Sequence, residues 1–230
     1  MLMQSPASFP AELAQNSGQA TSFGPDQYVL DWMVDHRTPA WTAAMRAITT
    51  LGNTVTLYLV VIVVVIAFAI ARKWQLVLFV GLGSAVGSLI MVALKELFSR
   101  DRPPIPERLI DLSSHSFPSG HAMCSTIVYG LIAVALYQVS PWVRSHVWVL
   151  VFAPLLALSI GVSRVYLGAH WMTDVIAGWI LGALFVAAAT WITFRSGPVG
   201  PPDSLSAPQA SAGTPQNIRK DPPQAPPGKS

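Results

Sequence analysis

Long uncharged apolar runs recur along the chain between residues 54 and 194. Each of them approaches or meets the length of about 20 residues that a helix needs to cross the hydrocarbon core of a bilayer. We predict five membrane-spanning helices, over 54–71, 74–94, 122–139, 147–162 and 175–194. The fourth run, with 16 residues, is the shortest and must extend into its flanks in order to span. The pattern predicts an all-α fold, an integral membrane bundle of five transmembrane helices.

The segment over 28–50 alternates apolar and charged positions instead of forming an uncharged run. Trp32 is one of its apolar positions, whereas Asp31 and Arg46 are among the charged ones. Pro39 interrupts the segment, because a proline ring is not accommodated inside a helix. We therefore predict two short helices that lie at the membrane interface before the first span. A helical cap packed on the bundle fits the same pattern.

Both ends of the chain have compositions typical of flexible segments. Residues 1–26 are polar and contain repeated Pro and Gly, without the basic and then apolar stretch of a signal peptide. Residues 196–230 are rich in Pro, Ser, Gln and Gly and have almost no aliphatic side chains, so they bury too little surface to fold. We therefore predict a flexible N-terminal segment over 1–26, a membrane-embedded domain over 27–195 and a disordered Pro-rich tail over 196–230.

The composition supports the membrane assignment and excludes several classes of protein. Hydrophobic residues make up 52% of the chain and charged residues only 11%, whereas soluble domains have roughly 25% charged residues. The single cysteine, Cys124, excludes an intrachain disulfide and a cysteine-based zinc site. The net charge of +3 is too small and too dispersed for a nucleic-acid-binding protein. The lipid bilayer is therefore the expected partner, nucleic acid is not, and the oligomeric state is left open.

The loops between the predicted spans differ in charge. The loops over 95–121 and 163–174 fall on one side together with the N-terminus, and this side holds nearly all the carboxylates. The opposite side holds four cations close to the membrane: Arg72, Lys73, Arg144 and Arg195. Positively charged loops tend to stay in the cytoplasm. We therefore expect the C-terminal tail in the cytoplasm and both polar loops on the extracytoplasmic face.

The long loop carries two polar motifs next to span ends. Lys95 follows the second span and Arg102 comes seven residues later, so both cations face one way if the helix continues to Pro103. Ser119 and Gly120 precede the third span, where the unpaired backbone N–H groups of a helix start favour an anion. Each feature also has an ordinary explanation, since lysines at span ends extend to lipid headgroups and Pro-Ser-Gly commonly starts a helix.

The second polar loop carries a cation and a histidine–carboxylate pair. Arg164 ends the fourth span, His170 follows six residues later, and Asp174 stands four residues beyond it. A spacing of four places two residues on one face of a helix, so the Asp174 carboxylate can reach a ring nitrogen of His170. With His121, one side of the membrane then holds three cations, an anion-binding helix start and two histidines. Such a site is suited to a multiply charged oxyanion, most naturally a phosphate.

Three motifs in this order resemble those of the type 2 phosphatidic acid phosphatase family. They are Lys-x6-Arg-Pro over 95–103, Pro-Ser-Gly-His over 118–121 and Ser-Arg-x5-His-x3-Asp over 163–174. Every motif position is matched, and the family is related in its active site to bacterial acid phosphatases and vanadium haloperoxidases. Integral members commonly have six spans, one more than the apolar runs predict here. Either a first span is lacking or the segment over 28–50 takes its place.

The resemblance implies a role for each matched residue. His170 would be the nucleophile that forms a phosphohistidine, Asp174 would orient it and stabilise its imidazolium form, and His121 would protonate the leaving group. The residues expected to bind the phosphate oxygens are Lys95, Arg102, Ser119, Gly120 and Arg164. The cations among them would take the part of a metal ion, and the chain has no carboxylate cluster suited to Mg²⁺. Neither a metal nor a cofactor is therefore expected.

Other polar residues near the motifs match no motif position. His115 is expected to be a surface histidine. Arg100, Asp101 and Arg108 are explained equally well by a solvated loop and by a role in the access of a headgroup.

The resemblance implies a metal-independent lipid phosphate phosphatase in a bacterial cell membrane. Its substrate would carry a phosphomonoester or diphosphate on a membrane lipid, such as polyprenyl (undecaprenyl) diphosphate, phosphatidylglycerophosphate or phosphatidic acid. Capture of the same intermediate by an alcohol would give a phosphotransferase. Two other classes are a vanadate-dependent haloperoxidase, whose known relatives are soluble, and a non-catalytic transporter or binder of lipid phosphates, since charges inside a membrane also mark transport paths.

Overall fold

The computed structural model describes residues 24–104, 108–110 and 113–195. These residues form helices and the loops that connect them. Residues 1–23, most of the predicted flexible N-terminal segment, lie outside the described residues, as does the whole predicted tail over 196–230.

Eight α-helices and one short 3₁₀ helix make up the described part of the chain. The α-helices are α1 Gly24–Asp35, α2 Pro39–Thr50, α3 Thr54–Ile70, α4 Trp74–Phe98, α5 Gly120–Val139, α6 Pro141–Ser145, α7 Phe152–Tyr166 and α8 Met172–Phe194. The 3₁₀ helix, Val147–Val151, leads directly into α7. All five apolar runs are helical, which confirms the predicted all-α membrane bundle.

Four helical segments are each long and apolar enough to cross a membrane: Trp74–Phe98, Gly120–Val139, Val147–Tyr166 and Met172–Phe194. The helix α3 has 17 residues and is joined to α2 through a bend of 45°. Together α2 and α3 qualify as one broken span, which gives up to five spans in the described part of the chain. The first predicted span, over 54–71, is therefore extended at its N-terminal end by α2, one of the two short helices predicted over 28–50.

The helices α1 and α2 are the two short helices predicted over 28–50. The Thr38 hydroxyl accepts a hydrogen bond of 3.3 Å from the Trp41 N–H and so starts α2, while Pro39 occupies its first turn, where proline is tolerated. The helix α1 begins earlier than predicted, at Gly24, so the end of the segment expected to be flexible is helical. Both helices pack on the bundle, α1 against α7 and α8 and α2 against α7. This packing is the arrangement expected of a helical cap, although α2 also qualifies as the first part of the broken span.

The helix α5 packs against α4, α7 and α8 and is the central helix of the bundle. Small residues let α8 approach it closely. A Cβ on Gly178 would lie 2.9 Å from the Ser119 carbonyl oxygen, and a Cβ on Gly182 would lie 3.0 Å from that of Met123. This close contact brings the start of α8 next to the start of α5.

Large apolar side chains cover the outer faces of the spans. The residues that are more than half exposed include Val63, Ile66, Leu82, Leu89 and Leu184. Apolar surfaces of this extent are rare on soluble monomers, whereas lipid solvates them. The outer faces therefore fit a hydrocarbon surrounding.

Candidate active site

A cavity of about 450 Å³ lies between α3, α4 and α5 and reaches the two polar loops. One end is polar and is lined by Lys95, Arg102, His121, Arg164 and His170. The other end is largely apolar, and its lining residues from α3, α4 and α5 include Leu57, Val61, Val92 and Val128. Gly120 also lines the cavity, so six of the eight residues predicted for the site meet there. The other two, Ser119 and Asp174, are fully buried.

The two cations of the first motif reach the cavity by a path that differs from the predicted one. The helix α4 ends just before Ser99, which adopts a left-handed conformation (φ 42°, ψ 34°) and turns the chain out of the helix. The helix does not continue to Pro103, so helical spacing does not align Lys95 with Arg102. Both side chains instead donate to the carbonyl oxygen of His115, Arg102 from Nη2 at 3.1 Å. The main chain of the long loop therefore brings the two cations together.

Arg102 is held by main-chain acceptors and contacts the predicted nucleophile. Its Nε donates to the Ser114 carbonyl oxygen and its Nη1 to the Ala169 carbonyl oxygen, both at 2.6 Å. Nη1 also lies 3.2 Å from Nε2 of His170. A guanidinium group can only donate hydrogen bonds, so this Nε2 is the acceptor and carries a lone pair. Burial, followed by the charge of Arg108, lowers the pKa of Arg102 to about 10, which leaves it protonated near neutral pH.

His170 is a neutral imidazole in this arrangement. Burial lowers its pKa from the ordinary 6.5 to about 3, and the charges of Arg102 and Arg164 add to this effect, whereas Asp174 opposes it. Because Nε2 accepts a hydrogen bond from Arg102, the ring proton lies on Nδ1. A neutral imidazole with a lone pair at a cavity lined by cations has the form that a nucleophile requires.

Asp174 lies beside the Nδ1 atom of that ring. Its Oδ2 is 3.7 Å from Nδ1, longer than a hydrogen bond, and Nδ1 has no hydrogen-bond partner among the described residues. The two residues do not share a helix face as predicted, because α8 begins at Met172 and His170 precedes it. Asp174 stands in the first turn, where Oδ2 accepts hydrogen bonds from the Trp171 N–H at 3.1 Å and from the Ser116 hydroxyl. The predicted proximity is present, but the turn before α8 produces it.

Arg164 brings a partly unpaired guanidinium group to the cavity. The residue is 2% exposed, and its Nη1 donates to the Thr49 hydroxyl of α2 at 2.9 Å. Its Nε is buried and has no hydrogen-bond partner within the described ranges. A buried charged N–H without an acceptor costs free energy, which an anion bound in the cavity would recover. The local structure is therefore suited to an anionic ligand.

His121, in the first turn of α5, is held from the junction between α2 and α3. Its Nε2 lies 3.2 Å from Oδ1 of Asn53, the residue before α3. With this amide oxygen as acceptor, His121 carries a proton on Nε2. The neighbouring Gly52 permits the close approach, since a Cβ there would lie 2.4 Å from the Ile160 side chain and 3.1 Å from that of His121.

The start of α5 differs from the anion site predicted there. Ser119 is fully buried, its N–H donates to the Asp174 carbonyl oxygen at 3.0 Å, and its hydroxyl accepts from the Ala122 N–H at 3.5 Å. The Ser119 N–H is therefore engaged in joining α5 to α8 and does not face a ligand, contrary to the prediction. Gly120 does line the cavity.

Several residues that complete the site were not predicted. Arg100, expected as a solvated or headgroup-access residue, donates from Nη1 to Oδ1 of Asp174 at 2.6 Å and from Nη2 to Oδ2 of Asp26 at 2.8 Å. Asp26, expected in a flexible segment, is fully buried. The one available signal for Arg100 was its place inside the Lys-x6-Arg-Pro motif. No local pattern marks Asp26, Thr49 or Asn53, because their partners are distant in sequence.

The arrangement is suited to binding and attacking a phosphoryl group. Lys95, Arg102 and Arg164 supply positive charge at one end of the cavity, and His170 presents a lone pair there. His121 lies at the same end and carries a proton. No group of three or more His, Cys, Asp or Glu side chains in the described part of the chain could hold a metal ion. The positive charge that the structure places at this site is carried by Lys95, Arg102 and Arg164.

Comparisons with known proteins identify related chains. The sequence profile of the PAP2 superfamily matches residues 74–198, which include all three motifs. Phosphatidylglycerophosphatase B from Bacillus subtilis (strain 168) is 38% identical over 150 residues, covering 64% of this chain and 73% of the relative. An undecaprenyl-diphosphatase from Sulfolobus acidocaldarius is 38% identical over 84 residues, covering 36% of this chain and 33% of the relative.

A solved structure shares the helical arrangement. It is the crystal structure of a transmembrane PAP2-type phosphatidylglycerolphosphate phosphatase from Bacillus subtilis, with a TM-score of 0.69 and 31% sequence identity. The superposition covers 78% of this chain and 86% of that one. Motifs, fold and relatives agree with the resemblance found in the sequence. This chain belongs to the PAP2 superfamily and is a membrane enzyme that hydrolyses phosphoric esters.

Proposed function

We propose that the enzyme hydrolyses the phosphomonoester or diphosphate of a membrane lipid through a phosphohistidine at His170, without a metal ion. The observation that carries this proposal is the two-ended cavity, with three cations and the His170 lone pair at one end and apolar side chains at the other. A headgroup phosphate fits the first end and a lipid tail the second. Relatives named as a phosphatidylglycerophosphatase and an undecaprenyl-diphosphatase support this substrate class.

In the first step, Nε2 of His170 attacks phosphorus. A P–N bond forms while the bond from phosphorus to the lipid oxygen breaks, and the electron pair of that bond goes to the lipid oxygen. His121, in the imidazolium form that the negative charge of the bound phosphate favours, protonates this oxygen and becomes neutral. Nη1 of Arg102, which lies 3.2 Å from Nε2 before the attack, then donates a hydrogen bond to a phosphate oxygen instead. Asp174, 3.7 Å from Nδ1, stabilises the positive charge that develops on the imidazole.

In the second step, water attacks the phosphorus of the phosphohistidine. His121, now neutral, accepts a proton from this water, while the P–N bond breaks and its electron pair returns to Nε2 of His170. Inorganic phosphate is released, and both histidines are back in their starting forms. Atoms and protons therefore balance over the cycle.

Three side-chain cations would stabilise the charge of the transition state. Arg164 lines the cavity, and its Nε has no hydrogen-bond partner among the described residues. Lys95 and Arg102 share one main-chain acceptor that a phosphate oxygen can replace. Fixed donors at the position where charge develops lower the barrier, because they need little reorganisation during the reaction. This is the physical basis for expecting no metal requirement.

We infer further that the polar end of the cavity faces the extracytoplasmic side. The loops at this end carry the site, whereas the other end of the bundle carries the cations near the membrane: Arg72, Lys73, Arg144 and Arg195. The tendency of positive loops to remain in the cytoplasm supports this orientation.

The experiment is a phosphate-release assay of the purified enzyme in detergent, with EDTA present. The substrates are phosphatidylglycerophosphate, undecaprenyl diphosphate and phosphatidic acid, each assayed with and without glycerol as an alcohol acceptor. We expect at least one lipid to release inorganic phosphate at a rate within about twofold of the rate with Mg²⁺. Metal independence would be contradicted if EDTA lowered the rate of phosphate release by more than about tenfold, equivalent to about 1.4 kcal/mol of barrier, and Mg²⁺ restored that rate.

Two further outcomes of that assay test the rest of the proposal. No phosphate release from any of the three lipids would contradict the proposed function. Transfer of phosphate mainly to glycerol, instead of to water, would make the enzyme a phosphotransferase.

A further inference from the structure

We propose that Asp26 and Arg100 are positioning residues for the His170–Asp174 pair, so that helix α1 forms part of the active site. The proposal rests on the proposed function of His170 as the nucleophile. Neither residue lines the cavity, and both would act through Asp174.

Arg100 bridges two carboxylates from distant parts of the chain. Its Nη1 donates to Oδ1 of Asp174 at 2.6 Å, and its Nη2 donates to Oδ2 of Asp26 at 2.8 Å. Both carboxylate side chains are 0% exposed, and the Arg100 side chain is 18% exposed. Removal of one partner from a buried ion pair is strongly unfavourable, because it leaves the other charge without compensation. The three side chains therefore form one unit.

Asp26 also caps the helix on which Asp174 stands. Its Oδ1 accepts a hydrogen bond from the Thr173 N–H at 2.9 Å, and its Oδ2 accepts one from the Thr173 hydroxyl at 2.6 Å. The N–H groups of a first helical turn lack intrahelical partners, and a carboxylate there also interacts favourably with the helix dipole. Asp26 thus fixes the first turn of α8 directly through Thr173 and indirectly through Arg100.

Other bonds complete the fixation of the Asp174 carboxylate. Its Oδ2 accepts from the Ser116 hydroxyl and from the Trp171 N–H. The guanidinium of Arg100 lies 5.8 Å from the centre of the Trp171 ring, within the range of a cation–π contact. The carboxylate therefore has a defined orientation beside His170 before any substrate binds.

The charges explain why a second carboxylate is useful here. With Asp174 alone, the positive charge of Arg100 would cancel the negative charge that stabilises the imidazolium of His170. With Asp26 present, two carboxylates face one guanidinium, and a net negative charge remains near Nδ1. Asp26 thus allows Arg100 to orient Asp174 without removing the electrostatic effect of that carboxylate.

The experiment compares Asp26→Asn with Asp31→Asn. The Asn side chain in Asp26→Asn retains one oxygen that can accept the hydrogen bond from the Thr173 N–H, but it carries no negative charge. Asp31 is the matched control, because it lies exposed on the same helix and its Oδ1 accepts from Gln27. On the lipid that wild type hydrolyses best, we expect Asp26→Asn to lower kcat by at least about tenfold, about 1.4 kcal/mol of barrier, with KM changed less than about twofold. Asp31→Asn should match wild type in both constants.

A second variant tests the bridge with both carboxylates in place. Lys has one compact ammonium group and cannot reproduce the planar fork by which Arg100 holds two carboxylates. Arg100→Lys should therefore also lower kcat at nearly constant KM. A wild-type kcat in both variants, or a change confined to KM, would contradict the positioning role.

A readout that needs no turnover separates this inference from the proposed function. The ¹⁵N resonance of His170 Nδ1, recorded at pH 7 in detergent, should differ between wild type and Asp26→Asn but not between wild type and Asp31→Asn. An unchanged resonance in Asp26→Asn overturns the inference. If wild type released no phosphate from any lipid, the proposed function would fail while the resonance comparison still decided the role of Asp26.

Discussion

The two histidines of the cavity differ in how they are held. His170 is 2% exposed, its Nε2 contacts Arg102, and its Nδ1 faces a carboxylate that is itself fixed by several donors. His121 is only partly buried, and its described hydrogen bond goes to Asn53 in the short junction between α2 and α3. One region is a connected polar network, and the other is a single contact across a helix bend.

The difference fits two different tasks. A nucleophile must present one lone pair in one direction, and a dense network restricts the ring to that direction. A general acid must reach the leaving oxygen of the substrate, and a partly exposed ring with one tether retains room to do so. The more rigid side of the site is therefore the one where the proposed covalent bond to phosphorus would form.

The strongest test of the His170 region is His170→Asn. Without the imidazole lone pair no phosphohistidine forms, so we expect kcat to fall by about 10⁴-fold or more. The measurement is phosphate release together with trapping of ³²P-labelled protein. His146→Asn is the matched control, since His146 lies outside the cavity and contacts Trp142 and Ser145. Labelled protein in His170→Asn would show that another residue is the nucleophile.

The next largest effect is expected for His121→Asn, and it should depend on the leaving group. Phosphatidic acid has a poor leaving group that needs a proton, so its hydrolysis should slow by about 10²–10⁴-fold. The loss for p-nitrophenyl phosphate, whose leaving group departs without protonation, should be much smaller. The quantity to compare is the ratio of variant to wild-type kcat for the two substrates. Equal ratios for phosphatidic acid and p-nitrophenyl phosphate would show that His121 is not the general acid.

A smaller effect is expected for Asn53→Ala, which deletes the tether and keeps the acid. Loss of one hydrogen bond should reduce kcat for phosphatidic acid by about tenfold, with less than about twofold loss for p-nitrophenyl phosphate. Thr50→Ala serves as the control at the same junction, since the Thr50 hydroxyl donates to the Ala47 carbonyl oxygen and not to His121. A loss shared by both substrates would indicate a general packing defect.

The smallest expected change concerns protonation of His170. Because burial lowers its pKa to about 3, the imidazole should stay neutral as the pH falls from 8 to 5, and only more acidic conditions should add a proton to Nε2. The measurement is the pH dependence of its ¹⁵N resonances in the substrate-free enzyme. A midpoint near 6.5, the ordinary value for histidine, would show that the His170 ring is not buried as in this structure.

The sequence was sufficient for the spans and for the residues that meet in the cavity. Uninterrupted apolar runs have few alternatives to helices in lipid, and the motif spacings located Lys95, His121 and His170. Local geometry was less predictable, because Ser99 ends α4 before the helix can align Lys95 with Arg102. Contacts between distant segments were not predictable at all. Nothing in a polar N-terminal stretch shows that Asp26 will cap a helix whose Thr173 lies 147 residues away.

The match to the family profile begins at residue 74, inside the set of residues that build the site. A chain trimmed to 74–198 would keep every motif residue. It would lose the Thr49 hydroxyl that holds Arg164 and the Asn53 amide that holds His121. The segment that matches the family profile is thus smaller than the set of residues that build the cavity and hold its side chains. Truncated variants and chimaeras of this enzyme should therefore begin at or before Gly24, where α1 starts, and not at residue 74.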